Sequence, residues 1–343
     1  LNPLIEGAQM MDAPKTFKAM IVEESEDKKF FRQIGTKSMD ELPDGEVLIR
    51  VKYSSLNYKD ALSATGNKGV TRKFPHTPGI DAAGEVAASA TDRFSTGHPV
   101  IVTGYDLGMN TSGGFAAYIR VPADWVVPLP QDLSLRESMI FGTAGFTAGL
   151  CVSKLLGYGV TPDHGEVLVT GATGGVGSIA VAVLAKIGFR IVAVSGKTDQ
   201  QAFLEQLGAA EVISREEATD TSGRPMLKGR WAGVVDTVGG HILATALKSL
   251  QYGGVATCCG LVASPSLSTT VFPFILRGAS LLGVDSVECP MDLRQSVWRK
   301  LAGQWKPQGL EGLSSEVGLE ELDPQIDQIL AGRIKGRVVV RID

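Results

Sequence analysis

A chain of 343 residues exceeds the roughly 100–200 residues that one hydrophobic core usually serves, so two lobes are expected. Apolar residues at 44%, charged residues at 20% and 41 glycines describe a packed globular protein rich in tight turns and exclude a disordered or fibrous one. A net charge of −4 without a long lysine or arginine run gives no field for a polyanion, so no nucleic-acid partner is expected.

The opening segment Leu1–Pro14 lacks the basic, apolar, small-residue order of a secretory signal, and Met10 or Met11 is the expected native start. From Phe17 to about Leu129, short apolar runs alternate with glycine, proline and charged turns: Lys18–Val22, Glu46–Tyr53, Gly84–Ala88, Pro99–Val102 and Phe115–Val121. They predict a compact β-rich lobe, in which the acidic Glu23–Asp27 is a solvated turn. Ser138–Leu155, rich in Ala, Leu, Gly and Met, reads as a helix leading into a second domain.

That domain alternates strand Glu166–Thr170, helix Gly175–Ile187, strand Arg190–Ser195, helix Asp199–Leu207 and strand Glu211–Ser214. It continues with strand Gly233–Thr237, helix His241–Leu250, strand Gly254–Gly260 and strand Ser280–Val284. The alternation predicts an α/β fold with a doubly wound, parallel, six-stranded Rossmann sheet. Ser280–Val284 is apolar and would leave an unprotected edge, so a homodimer is expected. The tail offers a helix at Asp323–Ala331, a turn at Gly332–Gly336 and a β-rich run, Arg337–Ile342, able to rejoin the first lobe. The nucleotide domain, 138–287, would then be inserted between 16–137 and 288–343. The most apolar segment, Ile179–Val194, contains Lys186 and Arg190, so it offers no uncharged span of about 20 residues and no membrane anchor is expected. Cys151, Cys258, Cys259 and Cys289 show no C-x-x-C spacing and read as reduced core residues of a cytoplasmic protein.

The run Val167 to Gly177 ends a strand, turns tightly and opens a helix whose Val181, Leu184 and Ala185 can face a sheet. Its glycines allow a pyrophosphate to approach the backbone, and the amides of the helix start complement the charge. The pattern is A-x-G-x-x-G, with Gly171 just before it, so Gly171, Thr173, Gly174, Gly175, Val176 and Gly177 are the candidate phosphate contacts. At the end of the second strand, where an acidic residue about 20 positions on would hold the ribose hydroxyl of NAD, stand Ser195, Gly196 and Lys197. A hydroxyl, an open backbone and a cation suit a 2′-phosphate, and Arg215 can close over the same end, which favours NADPH. The alternative is that Lys197 is a solvated turn residue and Arg215 caps a helix.

Four blocks resemble a known family: Ser54-Ser55-Leu56-Asn57-Tyr58-Lys59-Asp60, Pro78-Gly79-Ile80-Asp81-Ala82-Ala83-Gly84, Gly142-Thr143-Ala144-Gly145-Phe146-Thr147-Ala148 and Pro273-Phe274-Ile275-Leu276-Arg277-Gly278. They are similar to the zinc-free quinone oxidoreductase branch of the medium-chain dehydrogenases/reductases, which includes bacterial acryloyl-CoA reductases, and the likeness covers nearly the whole chain. The resemblance implies a GroES-like β-rich catalytic domain beside the Rossmann domain. Zinc-dependent relatives carry a ligand cysteine near Asn57-Tyr58, a His-Glu pair near Ile80-Asp81 and a four-cysteine lobe, all missing here. His76, His98, His164 and His241 are not clustered with cysteines and read as surface or loop residues, so no metal site is expected.

The resemblance further implies that Tyr58, with Asn57, lies beside the nicotinamide end of the cofactor, and that Leu261, Ile275 and the Asp285-Ser286 pair line the same side. Since Asn57 and Tyr58 come from the other lobe, the active site is expected in the cleft between lobes; the alternative is that Tyr58 is a packed aromatic. The implied reaction is NADPH-dependent reduction of the C=C bond of a short 2-enoyl-CoA, acryloyl-CoA to propanoyl-CoA, with Tyr58 donating to the developing enolate or placing the cofactor. Lys68, Arg72, Lys73, Arg277, Arg333 and Lys335 are candidate contacts for coenzyme A. Quinone reduction needs the same hydride donor and only a flat apolar slot, and a non-catalytic NADPH-binding protein would need no working cleft; both stay open.

Overall fold

The computed structural model describes residues 14–342, so Met10 and Met11 lie outside the described residues. The chain forms two compact units that part between Thr143 and Ala144. The first takes the described residues through Thr143, Val287–Gln295 and the segment from Leu310 on; the second takes Ala144–Ser286 and Ser296–Gly309.

In the first unit, β1 (Thr16–Glu24) pairs antiparallel with β2 (Phe30–Ser38). The second of these strands was not predicted, because its residues are half-buried at most and offer no continuous apolar run; pairing with its neighbour, not its own pattern, makes it a strand. There follow β3 (Val47–Ser55), α1 (Tyr58–Ala64), β4 (Asp81–Ser89), β5 (Pro99–Thr103), β6 (Tyr118–Val121) and β7 (Val126–Pro128). Strand β3 pairs antiparallel with both β4 and β6 and carries apolar side chains on both faces. Val47, Ile49 and Val51 enter one core with Val86, Val100 and Phe115, while Leu48 enters another with Phe17 and Tyr118. The twofold period of an extended strand thus feeds two cores from one segment.

Helix α2 (Leu135–Gly157) leaves helical geometry at Gly142, whose φ of 50° and ψ of −157° kink it. It is the one helix among the described residues long and apolar enough to cross a membrane, yet 78% of its most apolar window is buried inside the protein, as in a core helix. The second unit then contains β8 (Glu166–Val169), α3 (Gly175–Lys186), β9 (Arg190–Val194), α4 (Gln201–Gln206), β10 (Ala209–Ile213), β11 (Trp231–Asp236), α5 (Gly240–Lys248), β12 (Leu250–Cys258), α6 (Phe272–Arg277) and β13 (Ser280–Gly283). Its six strands are all parallel, in the order β10-β9-β8-β11-β12-β13, which is the expected doubly wound sheet. Strand β11 is buried along its whole length, as a parallel strand covered on both faces must be.

Strand β13 is the sheet edge. Beside it in sequence runs a series of exposed apolar residues: Leu261, Val262, Leu267, Val271, Phe272, Ile275 and Leu276. Helix α6 was not predicted although its signals are present: Pro273 presets φ in its first turn, and Gly278 closes it in the left-handed region at φ 60°. The chain ends with α7 (Met291–Ala302), also unpredicted, β14 (Ser314–Gly318), α8 (Leu322–Leu330) and β15 (Arg337–Arg341). Strand β15 pairs antiparallel with β3 and so rejoins the first sheet, as expected.

Arg277, at the end of α6, does not reach outward. Its Nη1 donates to the carbonyls of Lys248 and Leu250 at 2.9 and 2.6 Å, and its Nη2 donates to the Leu227 carbonyl. Removing a charged donor from several carbonyls costs about 1.5–3 kcal/mol. Arg277→Ala should therefore lower the unfolding free energy from urea denaturation by an amount of that order; an unchanged stability would show that these bonds do not hold α6 in place.

Candidate functional site

In the second unit the chain leaves β8, turns and enters α3. Gly171 holds φ at +59°, and a Cβ on Gly177 would overlap the Gly171 carbonyl, so both positions need glycine. Gly174 is the N-cap, extended at φ −79° and ψ 174°, and its N–H closes the turn on the Gly171 carbonyl at 2.9 Å. Thr173, Gly175, Val176 and Gly177 lie at the start of α3, where the first amides lack an intrahelical acceptor and the helix dipole is positive. This turn lies where strand order reverses, since β8 is flanked by β9 on one side and β11 on the other.

A buried network missed by sequence reasoning braces that point. Thr170 Oγ1 donates to Asp236 Oδ1 at 2.7 Å and accepts the Thr237 N–H at 3.0 Å, while Asp236 Oδ2 accepts the Gly239 N–H at 2.8 Å. Burial pushes the Asp236 carboxyl above its ordinary range, and these donors pull it back. The available signal was an acidic residue ending an otherwise apolar strand.

Beyond β9 the structure brings Ser195, Gly196, Lys197 and Arg215 together. Ser195 Oγ accepts the Lys197 N–H at 3.0 Å, and the Arg215 side chain lies over Gly196, where any Cβ would collide with it. Partial burial lowers the affinity of the Lys197 amine for its proton, and the Arg215 cation adds to this against the carboxylate of Asp199. Two cations converging on an open backbone form a place where an anion relieves repulsion. Leu261 follows the carboxyl end of β12 and Ser286 follows β13, while Ile275 stands on α6; Leu261 and Ile275 are 64% and 67% exposed.

In the first unit, Tyr58 is the first residue of α1 and is 44% exposed, so it is not a core aromatic there. Beneath it lies a fully buried polar centre. Asn57, the N-cap, gives its N–H to Asp60 Oδ2 at 2.8 Å, and its amide Nδ2 donates to Ser55 O at 3.2 Å, Asp60 Oδ2 at 3.2 Å and Asp81 Oδ2 at 2.8 Å. Asp60 Oδ1 accepts the Ile80 N–H at 2.7 Å. Asp81 accepts further from Ser55 Oγ at 2.5 Å, the Thr143 N–H at 2.9 Å and Thr143 Oγ1 at 2.6 Å. Arg337 lies 3.8 Å from Asp81 and donates to Ser55 Oγ, the Leu56 carbonyl and the Ile140 carbonyl. Sequence reasoning singled out Asn57 and Tyr58 but not Asp60, Asp81, Thr143 or Arg337. The first three of these stood inside the quoted blocks, and Arg337 opens an apolar strand that packs in the core.

His98, His164 and His241 are exposed, and His76 is a loop residue ahead of β4, buried there with Nε2 3.0 Å from the Gly108 carbonyl, so that burial pushes its pKa down. Among the described residues no group of three or more His, Cys, Asp or Glu is placed to hold a metal ion. Of the candidate coenzyme A contacts, Lys68 binds Glu24 at 2.5 Å and lies over the Phe74 ring, Arg333 binds Gln328 at 2.7 Å, and Arg277 is engaged as described. Arg72 and Lys73 are exposed.

Residues 43–131 match the alcohol dehydrogenase GroES-like domain, and residues 175–303 match the zinc-binding dehydrogenase family. Acrylyl-CoA reductase AcuI of Ruegeria pomeroyi is 42% identical over 95% of this chain and 99% of its own. YhfP of Bacillus subtilis, which bears a quinone oxidoreductase name, is 49% identical over 90% of this chain and 94% of its own. Its crystal structure with NAD bound superimposes with a TM-score of 0.94, covering 96% of this chain and 100% of that one, at 47% identity. The Salmonella enterica yhdH oxidoreductase in complex with NADP gives a TM-score of 0.92 at 44% identity, covering 95% of this chain and 100% of that one. The first unit is thus a GroES-like β-rich domain and the second a Rossmann-type nucleotide-binding domain.

A Cβ on Gly142 would lie 2.5 Å from both Asp81 Oδ2 and Ser55 Oγ, at a φ that side chains rarely adopt. Backbone strain of this kind alone costs about 1–3 kcal/mol. Gly142→Ala should destabilise the protein by at least that much in chemical denaturation; wild-type stability would mean the kink is not held by this network.

Proposed function

Because the chain belongs to the medium-chain dehydrogenase/reductase family, among the zinc-independent oxidoreductases related to AcuI, YhdH and YhfP, we propose that it reduces the C=C bond of short 2-enoyl-CoA thioesters with NADPH, with acryloyl-CoA to propanoyl-CoA as its reaction. The observation that carries the cofactor assignment is that Arg215 lies over Gly196 within electrostatic reach of Lys197, in the place where an NAD-specific site sets a carboxylate. The yhdH oxidoreductase, solved with NADP, supports the same choice.

When bound, NADPH supplies the hydride that the β-carbon of the alkene receives. The chain's own groups do the rest. The amides of Thr173 to Gly177 hold the pyrophosphate, and Ser195, Gly196, Lys197 and Arg215 hold the 2′-phosphate. Leu261, Ile275 and Ser286 line the nicotinamide side. As the β-carbon gains hydride, negative charge collects on the thioester oxygen, and the Tyr58 hydroxyl donates a hydrogen bond to it. The Asn57 amide is engaged with Ser55, Asp60 and Asp81, so its part is to hold Tyr58 in place. Water protonates the α-carbon. Arg72, Lys73 and Lys335, all exposed, are the candidate cations for the phosphates of coenzyme A.

YhfP's quinone oxidoreductase name favours a second reading, reduction of a quinone at the same site. The open edge at β13 and the exposed apolar residues beside it favour a homodimer, in which a second copy covers both. The free thiols suit a reducing cytoplasm.

NADPH oxidation with acryloyl-CoA, crotonyl-CoA and benzoquinone, compared as kcat/KM, tests the substrate: acryloyl-CoA should be preferred, and a quinone preference would establish the second reading. Tyr58→Phe should lower kcat by roughly 100-fold, as loss of one oxyanion donor does. The double variant Lys197→Ala/Arg215→Ala should raise KM for NADPH at least tenfold while leaving that for NADH unchanged; equal effects on both would remove the 2′-phosphate assignment. In sedimentation the wild type should run as a dimer and Leu276→Asp as a monomer, whereas a monomeric wild type at micromolar concentration would refute the interface.

A further inference from the structure

The polar centre beneath Tyr58 holds more negative charge than its cation balances. Asp60 and Asp81 are both fully buried, and Arg337, itself buried, lies 3.8 Å from Asp81. Around Asp60 the charged groups are Asp81 on β4 and Arg337 on β15, and Lys59 precedes it on its own helix. The carboxylates of α8, Asp323 and Asp327, are bound to Arg32 instead, and His76 ahead of β4 is bound to the Gly108 carbonyl. Two buried carboxylates beside one guanidinium disfavour the second negative charge.

The hydrogen bonds pull the other way. Asp60 Oδ2 accepts both the N–H and the side-chain amide of Asn57, and Oδ1 accepts the Ile80 N–H. A proton on either oxygen would face an N–H already aimed at that oxygen. The ionised carboxylate accepts all three donors most strongly and brings no proton of its own among them, and in doing so it joins the residue before Tyr58 to the start of β4.

We propose that Asp60 is a positioning residue of the reductase site, whose ionised carboxylate holds Asn57 and the first turn of α1 so that Tyr58 is presented to the substrate, and that this ionisation works against the stability of the fold. The proposal rests on the reading of Tyr58 given above. Burial, and then the Asp81 charge, push the Asp60 carboxyl up from 3.8 to about 7, against the pull of the three donors. A carboxyl whose pKa is raised in the folded state contributes stability that is fully present below its unfolded value and is lost as pH rises through the folded value. Stability should therefore fall between about pH 4 and pH 7 through this group and then level off, while activity rises from about pH 6 to pH 8 as Asp60 ionises. A residue with a purely structural role would move both in the same direction.

The experiment is to measure Tm and the kcat/KM for acryloyl-CoA and for benzoquinone with NADPH from pH 5 to pH 9, in the wild type, Asp60→Asn, Asp60→Glu and Tyr58→Phe. The wild type should gain roughly tenfold in kcat/KM from pH 6 to pH 8, with a Tm that declines from pH 5 to about pH 7 and levels off above it. Asp60→Asn, which carries the hydrogen-bonding pattern of the protonated acid, should keep a flat Tm there, lose at least about tenfold in kcat/KM at pH 8 and lack the acid limb; Asp60→Glu should restore the limb. If Asp60→Asn does not fold, the opposed wild-type profiles and the Asp60→Glu limb decide. Wild-type kcat/KM and an unaltered profile in Asp60→Asn, or activity and Tm changing together in the wild type, overturn the positioning role. An unaffected Tyr58→Phe overturns the Tyr58 reading instead. Absence of turnover with both acceptors at every pH overturns the reductase reading, and the positioning role with it.

Discussion

The carboxylate of Asp81 collects donors from segments far apart in the chain. Ser55 at the end of β3, Asn57 before α1 and Thr143 at the kink of α2 all point at it, and Arg337 on the closing strand lies 3.8 Å away. In water each of these groups would be satisfied without its neighbours. In the core none is satisfied alone, so the four segments must arrive together. Gly142 follows from the same requirement, because the space a Cβ would take is filled by Asp81, Ser55 and Arg337. The start of α1, and with it Tyr58, is therefore placed by a buried charge and not by the helix's own propensity.

The nucleotide-binding unit meets a similar requirement with a different device. Parallel strands end with unpaired backbone groups, and the place where strand order reverses is where those ends diverge. Thr170 and Asp236 close that opening from within, leaving the glycine turn to face outward. Glycines at 171 and 177 allow the turn to be tight, and it opens onto the first amides of α3, which lack an intrahelical acceptor. Lys197 and Arg215 come near each other just beyond the second strand of that sheet.

These two devices divide the labour of a hydride-transfer enzyme. The cofactor carries the difficult chemistry, so the protein has to hold phosphates, exclude misplacement and put one donor where charge develops. A buried carboxylate pair is a costly way to order the start of α1, because burial and mutual repulsion disfavour the second charge. Such a tension is expected where geometry matters more than stability.

Much of this was legible before any coordinates. The alternation of strands and helices, the glycine turn and the residues after the second strand are local features, set by the period of apolar side chains and by where the backbone must bend, and they gave the six-stranded sheet and the gathering of Ser195, Gly196 and Lys197. Strand β2, helix α6 and helix α7 escaped notice because their edges are polar or their runs short, and packing against neighbours stabilises them. The polar centre was out of reach for a different reason. Asp60, Asp81, Thr143 and Arg337 are separated by up to 277 positions, no periodicity links them, and each alone reads as an ordinary surface residue. Sequence determines the elements, since their forces act between near neighbours along the chain. Only the tertiary structure decides which charges are buried together, because burial and pairing depend on what folding brings into contact.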